Sequence, residues 1–298
     1  MDFQHQSVMP KQVVDLLVTK PEGLYVDATL GGGGDAEHLL SAYPALRLVG
    51  IDQDPYALSY ASRRLQPYAA RFTPLRGNFR NLEDLLLTIG VRAVDGVVFD
   101  LGVSSPQLDQ RDRGFSYQHP DAPLDMRMDP DNPVTAFRLV NQKSEEEIRD
   151  AIQRWGEERW AARIASFIVR ARTEEPIRTT GQLVEIIRAA IPAAKRRSGG
   201  HPARRTFQAL RIWVNDELTA LSEGLLAAWH VLNPGGRLVV ISFHSLEDRI
   251  VKHQFREWSN QGMARVVTKH PLTPDDREQE ENPRARSAKL RVVEKRLT

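Results

Sequence analysis

The sequence predicts an α/β protein built on an open parallel sheet, for three reasons. Short apolar runs alternate with helix-like spacing through the first hundred residues. Three of these runs lead into an acid, at Asp27, Asp52 and Asp100. Four consecutive glycines, Gly31 to Gly34, separate the first run from a helix. Since the carboxyl ends of parallel strands share one edge, we expect the acids and the glycines to line one crevice.

Each predicted strand is a short apolar run that ends at polar or turn-forming residues. The six strands cover residues 24–26, 48–51, 72–75, 94–99, 238–241 and 289–292. Helices are predicted at 13–17, 36–40, 55–65 and 82–89, and Asp54 with Pro55 opens the third of them. Ser245, with Asp248 as its partner, is predicted to cap a further helix after the fifth strand.

The alternation stops for about a hundred residues after the fourth strand, which predicts an inserted domain. We assign residues 1–107 and 206–298 to the two parts of the sheet domain, and 108–205 to a mainly helical insert. Ser144 and Glu147 form a capping box that predicts one long amphipathic helix, and Thr179 with Gln182 opens another. The buried face of the long helix is expected to comprise Ile148, Ile152, Trp155, Trp160, Ile164, Phe167 and Ile168.

The composition is that of a globular chain without cysteine. Its 298 residues and 41% apolar content are enough for a packed core, and the lack of cysteine excludes disulfides and cysteine metal ligands. The N-terminal residues lack the basic and apolar regions of a signal peptide, and no apolar run has membrane-spanning length. We therefore expect a cytoplasmic protein with no membrane partner. Because no metal-ligand spacing is found, we expect no metal.

Basic residues concentrate late in the insert. From 159 to 205 the chain carries 11 Lys and Arg against 3 Asp and Glu. A basic cluster interrupted by two glycines closes this stretch, and it comprises Lys195, Arg196, Arg197, Arg204 and Arg205. A basic loop of this kind suits a phosphate backbone, which it would bind with an affinity that falls as salt rises. We expect this cluster to bind RNA.

The glycine loop is typical of a nucleotide-binding turn, because glycine allows positive φ and a close approach of the backbone to a ligand. A triphosphate loop is excluded, since Asp35 stands where that motif needs lysine. The glycine spacing also satisfies a dinucleotide motif, with Asp52 at the expected distance to hold a ribose. Two acids that flank the loop, Asp27 and Asp35, favour instead a cationic ligand such as S-adenosylmethionine.

Five motifs, in order along most of the chain, resemble those of one bacterial family. They read DLGVSSPQ at 100–107, RGFS at 113–116, PLDMRMD at 123–129, RTFQALR followed by VNDEL at 205–218, and ISFHSLEDR at 241–249. This pattern is similar to the 16S ribosomal RNA cytosine-N4 methyltransferases called RsmH or MraW. The resemblance implies a Rossmann-like class I S-adenosylmethionine methyltransferase sheet with an inserted, mainly helical second domain. The implied substrate is a cytosine in the decoding centre of 16S rRNA, within the small ribosomal subunit.

The resemblance also implies which residues contact S-adenosylmethionine. They are Gly33, Gly34, Asp35, Asp52, Phe79, Asp100 and Gln107. The chemistry of three of them agrees. Asp52 can accept both ribose hydroxyls, Phe79 can lie against the adenine, and Asp100 can accept from an amino or cationic group. At Asp35, where the family pattern often has His or Tyr, we expect a backbone contact.

Methyl transfer to an exocyclic amine requires alignment, and acceptors for the N–H groups, more than covalent chemistry. Asp100 and the turn Ser104, Ser105 and Pro106 lie on the loop where such acceptors are expected, and His244 is a further candidate. The chain has Asp-Leu-Gly-Val where many amino-methyltransferases have Asp-Pro-Pro-Tyr, so an aromatic side chain that stacks on the base must come from elsewhere. The candidates are Phe115, Tyr117 and Phe243.

Other functions stay open on the sequence. A nicotinamide-dependent oxidoreductase shares the glycine loop and Asp52 but has no use for Asp27 and Asp35. An S-adenosylmethionine-dependent methyltransferase could instead act on another RNA, on a DNA amino group or on protein. A non-catalytic RNA-binding protein would bind RNA without turnover. A homodimer and a monomer are both open.

Overall fold

A computed structural model describes residues 7–104, 107, 108, 110–195 and 200–297 of the chain. The chain divides into two compact units. The sheet unit is Met1–Ser105 with Leu218–Thr298, and the helical unit is Pro106–Glu217. The helical unit extends past the expected boundary at residue 205, because the helix that follows this position packs inside it.

The sheet unit contains the strands of the described chain. They are β1 (Leu24–Asp27), β2 (Arg47–Asp52), β3 (Phe72–Arg76), β4 (Val94–Asp100), β5 (Leu232–Ser242), β6 (Ala264–Val266) and β7 (Lys289–Lys295). Their order across the sheet is β3-β2-β1-β4-β5-β7-β6. The first five strands of this order are parallel, whereas β7 is antiparallel to both of its neighbours. All six predicted strands are confirmed, and β6 is an addition.

Helices flank the sheet and form the helical unit. In chain order they are α1 (Pro10–Leu17), α2 (Gly34–Ala42), α3 (Pro55–Arg64), α4 (Leu82–Thr88), α5 (Ala136–Gln142), α6 (Glu145–Gly156), α7 (Ala161–Glu174), α8 (Thr180–Ala190), α9 (Arg204–Asn215), α10 (Glu217–Val231), α11 (Ser245–Asn260) and α12 (Asp276–Glu281). Successive strand residues face opposite sides of the sheet, so Val97 and Val98 enter two different cores. The sheet is therefore covered on both faces, as parallel sheets are.

The predicted long helix of the insert is wrong, because the structure divides it into α6 and α7. Helix α6 ends at Gly156, and Glu157 follows with a φ of 49°. A Cβ on Gly156 would lie 2.7 Å from the carbonyl oxygen of Arg205 in α9, and the Arg205 guanidinium donates to the Glu157 carbonyl at 3.1 Å. Contact with α9 therefore fixes the break.

The buried face of these two helices is confirmed for its aliphatic members but not for its aromatic ones. The isoleucines at 148, 152, 164 and 168 are fully buried. Trp155, Trp160 and Phe167 are only half-buried. Their rings therefore lie at the edge of the core of the helical unit rather than inside it.

Two predicted capping boxes are confirmed and a third is displaced. The boxes of Ser144 with Glu147 and of Thr179 with Gln182 are both formed. Helix α11 is capped by His244 and not by Ser245, because the Nδ1 of His244 accepts from the backbone N of Glu247. Histidine is an uncommon residue at this position, where serine is preferred.

The side chain of Asp248 forms a buried ion pair with β7 instead of a cap. Its Oδ1 lies 2.6 Å from Nε of Arg291, and both residues are 9% exposed. Lys289 lies farther from this carboxylate, at 3.4 Å. Arg291 is therefore the main partner of a carboxylate that water hardly reaches.

We expect Arg291→Met to lower the free energy of unfolding by about 3–5 kcal/mol, because it leaves the buried Asp248 without its main partner. Urea unfolding followed by circular dichroism measures this change. Arg265→Met is the matched control, since Arg265 pairs with Glu294 but is 58% exposed, and it should cost less than about 1 kcal/mol. Equal effects in the two variants would contradict the prediction.

Candidate cofactor site and active site

The turn between β1 and α2 has the backbone shape expected of the glycine loop. Gly31 and Gly33 have φ values of 49° and 76°, which favour glycine. A Cβ on Gly33 would also lie 3.2 Å from the Cβ of Ala61 in α3. Gly33 is the N-cap of α2, and Gly34 is its first residue. The first N–H groups of a helix have no acceptor within the helix and are available at the loop. The loop therefore presents backbone donors to a ligand.

Four carboxyl groups gather at this edge of the sheet unit. Asp27, Asp52 and Asp100 end β1, β2 and β4, and Asp35 lies in the first turn of α2. Asp27 is 1% exposed and Asp35 is 6% exposed. The structure therefore brings together the strand-end acids that the topology led us to expect at one edge.

Burial raises the pKa values of all four groups, and repulsion within the cluster adds to the shifts of Asp27 and Asp100. Burial raises the pKa of Asp35 and of Asp52 to about 6. Burial, followed by the negative charges of neighbouring carboxylates, raises the pKa of Asp27 and of Asp100 well above the usual value. Such a cluster favours a cation and disfavours a phosphate.

The hydrogen bonds divide the four carboxyl groups into two pairs. Asp27 Oδ1 accepts from the backbone N of Thr29 at 3.1 Å, and Asp52 accepts from the backbone N of Gly31 at 2.8 Å. By contrast, Oδ1 of Asp35 and Oδ1 of Asp100 are buried and have no partner among the described residues. Buried acceptors are normally satisfied, so these two atoms mark where donors of a ligand fit.

Phe79 is held firmly beside the same edge. Its ring meets Phe99 edge to face, with centroids 5.5 Å apart, and a Cβ on Gly224 would lie 2.6 Å from its Cδ2. The loops after β2 and β3 are joined by a 3.0 Å hydrogen bond from Asn78 to Gln53. Phe79 is thus half-buried and fixed in orientation, as an aromatic wall for a base must be.

Glu247 is a member of the site that sequence analysis missed. Its side chain is 3% exposed, its Oε2 accepts from the backbone N of Phe243 at 2.8 Å, and its Oε1 lies 3.1 Å from Nε2 of His244. Its charge is among those that raise the pKa of Asp100, after burial and two aspartates. His244 therefore caps α11 through Nδ1, whereas its buried Nε2 contacts Glu247 without a hydrogen bond. The capping-box spacing was the one signal that could have identified Glu247.

Several predicted site residues belong to the helical unit and are described within it. Gln107 is buried, and Phe115 is 8% exposed with the Arg113 guanidinium carbon 5.9 Å from its ring centre. Tyr117 stacks on His201 with centroids 4.2 Å apart. These rings are already packed against partners of their own unit.

The basic cluster of the insert is described only in part. Arg204 and Arg205 are exposed at the start of α9. Arg196 and Arg197 lie outside the described residues, as do Ser105 and Pro106 of the predicted catalytic turn, and of Lys195 only the backbone is described. Ser104 lies beside the glycine loop, since a Cβ on Gly31 would be 3.2 Å from its Cβ.

The residues of the sheet edge fit S-adenosylmethionine. Two unpaired buried carboxylate oxygens suit its ammonium and amino donors, and the loop with Asp52 suits a ribose. Four acids at one edge would repel the pyrophosphate of a dinucleotide. The geometry therefore favours the cationic ligand over the dinucleotide.

Comparison with known proteins decides the family. The profile of the MraW methylase family matches residues 2–296. The chain belongs to the MraW methylase family. It is accordingly an S-adenosylmethionine-dependent methyltransferase, and the nicotinamide alternative is wrong.

Relatives of this MraW methylase match along their whole length. "Ribosomal RNA small subunit methyltransferase H" of Symbiobacterium thermophilum is 53% identical, over 99% of this chain and 98% of that protein. The protein of the same name from Heliobacterium modesticaldum is 50% identical, over 99% of each chain. The crystal structure of NSun6 from Pyrococcus horikoshii with SFG covers 98% of this chain and 53% of that one, at 11% identity and a TM-score of 0.47. A structural likeness this distant carries no argument about the site.

Within the described residues, no helix combines the length and the apolar content that crossing a membrane requires.

Proposed function

We propose that the chain transfers a methyl group from S-adenosylmethionine to N4 of a cytosine in the decoding centre of 16S rRNA. The substrate is the RNA within the small ribosomal subunit, and the reaction takes place in the cytoplasm. The near-complete match to two proteins named as small-subunit rRNA methyltransferases supports the substrate. The observation that carries the chemistry is the pair of buried, unpaired oxygens of Asp35 and Asp100 beside the glycine loop.

The proposed cofactor contacts follow from the environment of each residue. Asp52 already accepts from Gly31 and Asp54 through its two oxygens, and each oxygen has a further lone pair for a ribose hydroxyl. Phe79 provides the wall against the adenine. Gly33 and Gly34 allow close approach of the backbone, and Gln107 is the contact proposed from the helical unit. Asp35 offers its unpaired carboxylate oxygen as well as its backbone, so we now assign it the ammonium group.

The chain's own residues supply alignment and proton acceptance. S-adenosylmethionine, when bound, supplies a methyl group made electrophilic by its sulfonium. Asp100 accepts an N–H of the cytosine amine, which favours a nucleophilic nitrogen, and takes up the proton that this nitrogen loses. Burial and neighbouring carboxylates raise the pKa of Asp100 well above its usual value, which suits that task because a more basic carboxylate accepts a proton more readily. Ser104, Ser105 and Pro106 shape the adjoining loop, and His244 holds Glu247 next to this acid.

Of the three aromatic candidates for stacking on the base, Phe243 fits best. Phe115 is 8% exposed and Tyr117 is stacked on His201, so both are occupied in the helical unit. Phe243 is half-buried and directly follows β5, whose Ile241 is the partner of Asp100 across the sheet. We propose that Phe243 contacts the target cytosine and that the basic cluster from Lys195 to Arg205 binds the RNA backbone.

Methyl transfer to small subunits tests this function. Subunits isolated from cells that lack this activity are incubated with the protein and with tritiated S-adenosylmethionine, and the modified nucleoside is mapped. We expect one N4-methylcytosine in the decoding centre. Subunits from cells that have the activity are the control and should accept no further methyl group. Label on protein, on DNA or on another nucleoside would contradict the proposal.

A further inference from the structure

We propose that α7 carries an additional binding surface for single-stranded RNA, the arginine–aromatic face, which comprises Arg159, Trp160, Arg163, Phe167 and Arg170. The inference rests on the proposed function and adds a second substrate contact to it. Its residues are different from those of the basic cluster that closes the insert, although Arg205 of that cluster donates to the carbonyl of Glu157, close to the start of the face. Its two aromatic residues, Trp160 and Phe167, were expected from the sequence to lie in the core.

The arginine–aromatic face is one side of a helix whose other side is buried. Trp160, Arg163, Phe167 and Arg170 follow one another at spacings of three or four residues, which places them on one face. The opposite face holds Ala161, Ala165 and Ile168, which are buried. Trp160 and Phe167 are half-buried at the border, and the three arginines are exposed.

Each arginine of this face lies over an aromatic ring. The guanidinium carbon of Arg159 is 5.2 Å from the ring centre of Trp160, and those of Arg163 and Arg170 are 5.5 and 5.6 Å from that of Phe167. Such contacts hold the guanidinium groups in place beside the ring. Cation and ring are thus presented together, which is the combination that binds phosphates and stacks bases in single strands.

The three arginines also lack carboxylate partners. Within the residues described, none of them forms an ion pair, whereas Arg149 and Arg188 of the same unit, whose side chains are 41% and 51% exposed, each pair with an acid. Glu158 precedes the face in sequence, and its carboxylate accepts a hydrogen bond from the backbone N of Trp160. The positive charge of this face is therefore not compensated locally, and a polyanion complements it.

RNA fits this face better than a lipid surface does. A helix that lies in a membrane surface buries a wide apolar face in the lipid. The apolar side of α7 is already buried within its own unit, and only the edges of two rings remain for a ligand. Unpaired bases have π faces that stack on such edges and on guanidinium groups, and their backbone supplies the phosphates.

The test measures binding of a labelled single-stranded oligoribonucleotide of small-subunit sequence by fluorescence anisotropy at several salt concentrations. In a variant with Arg159→Gln, Arg163→Gln and Arg170→Gln, the slope of log affinity against log salt should decrease in magnitude by about two, for three lost phosphate contacts. The matched control changes Arg138, Arg149 and Arg188, three other arginines of the same unit that solvent reaches, to Gln and should keep the wild-type slope. Affinity for S-adenosylmethionine should be unchanged in both.

A second variant separates stacking from charge. Phe167→Leu keeps an apolar side chain and every arginine, and it should weaken RNA binding about tenfold with an unchanged salt slope.

A wild-type slope in the arginine variant, an equal loss in the control, or binding of anionic phospholipid vesicles in place of RNA would overturn the inference. If the wild-type protein methylates small subunits while these variants bind RNA normally, this inference alone fails. If it methylates no RNA while the slope still depends on the three arginines, the surface stands and the proposed function fails.

Discussion

Asp100→Asn is expected to lower kcat for methyl transfer by about 100- to 1,000-fold without lowering the free energy of unfolding. Asp100 is half-buried at the end of β4, and its Oδ1 atom is buried with no partner among the described residues. An amide keeps the shape of the carboxyl group but cannot take up the proton of the amine. Folding loses nothing, because the carboxylate that is removed was buried among like charges.

Asp95, at the other end of the same strand, is the matched control. It accepts from Lys20 at 2.7 Å and from Asn233 at 3.0 Å. Burial pushes its pKa upward, but these hydrogen bonds outweigh burial, and the pKa is lowered from the usual value. Asp95→Asn should therefore destabilise the protein by about 1–2 kcal/mol and leave kcat unchanged.

The two variants are compared by single-turnover methyl transfer to small subunits and by urea unfolding. Activity is normalised to the folded fraction, so that a stability effect is not read as a catalytic one. An Asp100→Asn protein that is fully active, or one whose loss of activity equals its loss of folded protein, would refute the catalytic assignment. Glu247→Gln gives a further check, since removal of its charge should lower the pKa of Asp100 and shift the pH profile to lower pH.

The sheet was predictable because its signals are local. Buried parallel strands are short, nearly continuous apolar runs, and Val94 to Phe99 is one of them. Right-handed crossovers then place Asp27, Asp52 and Asp100 at one edge, whatever the packing details are. The antiparallel placement of β7 and the three-residue β6 have no such signal, because an edge strand is defined by its partner.

The errors arose where contacts between distant residues decide the local structure. The apolar residues from Ile148 to Ile168 recur at intervals of no more than five residues across the break at Glu157, so the sequence pattern alone predicts one helix. The break depends on Arg205, which is distant in sequence. Likewise, the pairing of Asp248 with Arg291 of β7 removes it from the cap, and His244 replaces Ser245 there.

The affinity for S-adenosylmethionine is expected to fall as the pH falls below about 6, while the stability of the free protein rises. Asp35 and Asp52 have pKa values raised to about 6, mainly by burial, against about 4 in an unfolded chain. Between these values the folded protein holds protons that the unfolded chain has released, so acidification from pH 7 to pH 5 stabilises the fold. The same protons neutralise the acceptors that a cationic ligand needs.

Asp52→Asn tests the origin of these opposite trends. Asp52 accepts from the backbone N–H groups of Gly31 and Asp54, and the proposed ribose hydroxyls are further donors, so this contact is strongest in the ionised form. Without this carboxylate, affinity at pH 7.5 should fall about tenfold. The slope of log affinity against pH between 5 and 6 should decrease by about one, because about one proton fewer is released on binding. Calorimetry in two buffers that differ in ionisation enthalpy measures the proton release directly. Since Asp27 and Asp100 also have raised pKa values, release should persist in the variant. Proton uptake on binding, or an affinity independent of pH, would show that the positive charge of the methyl donor does not lie among these acids.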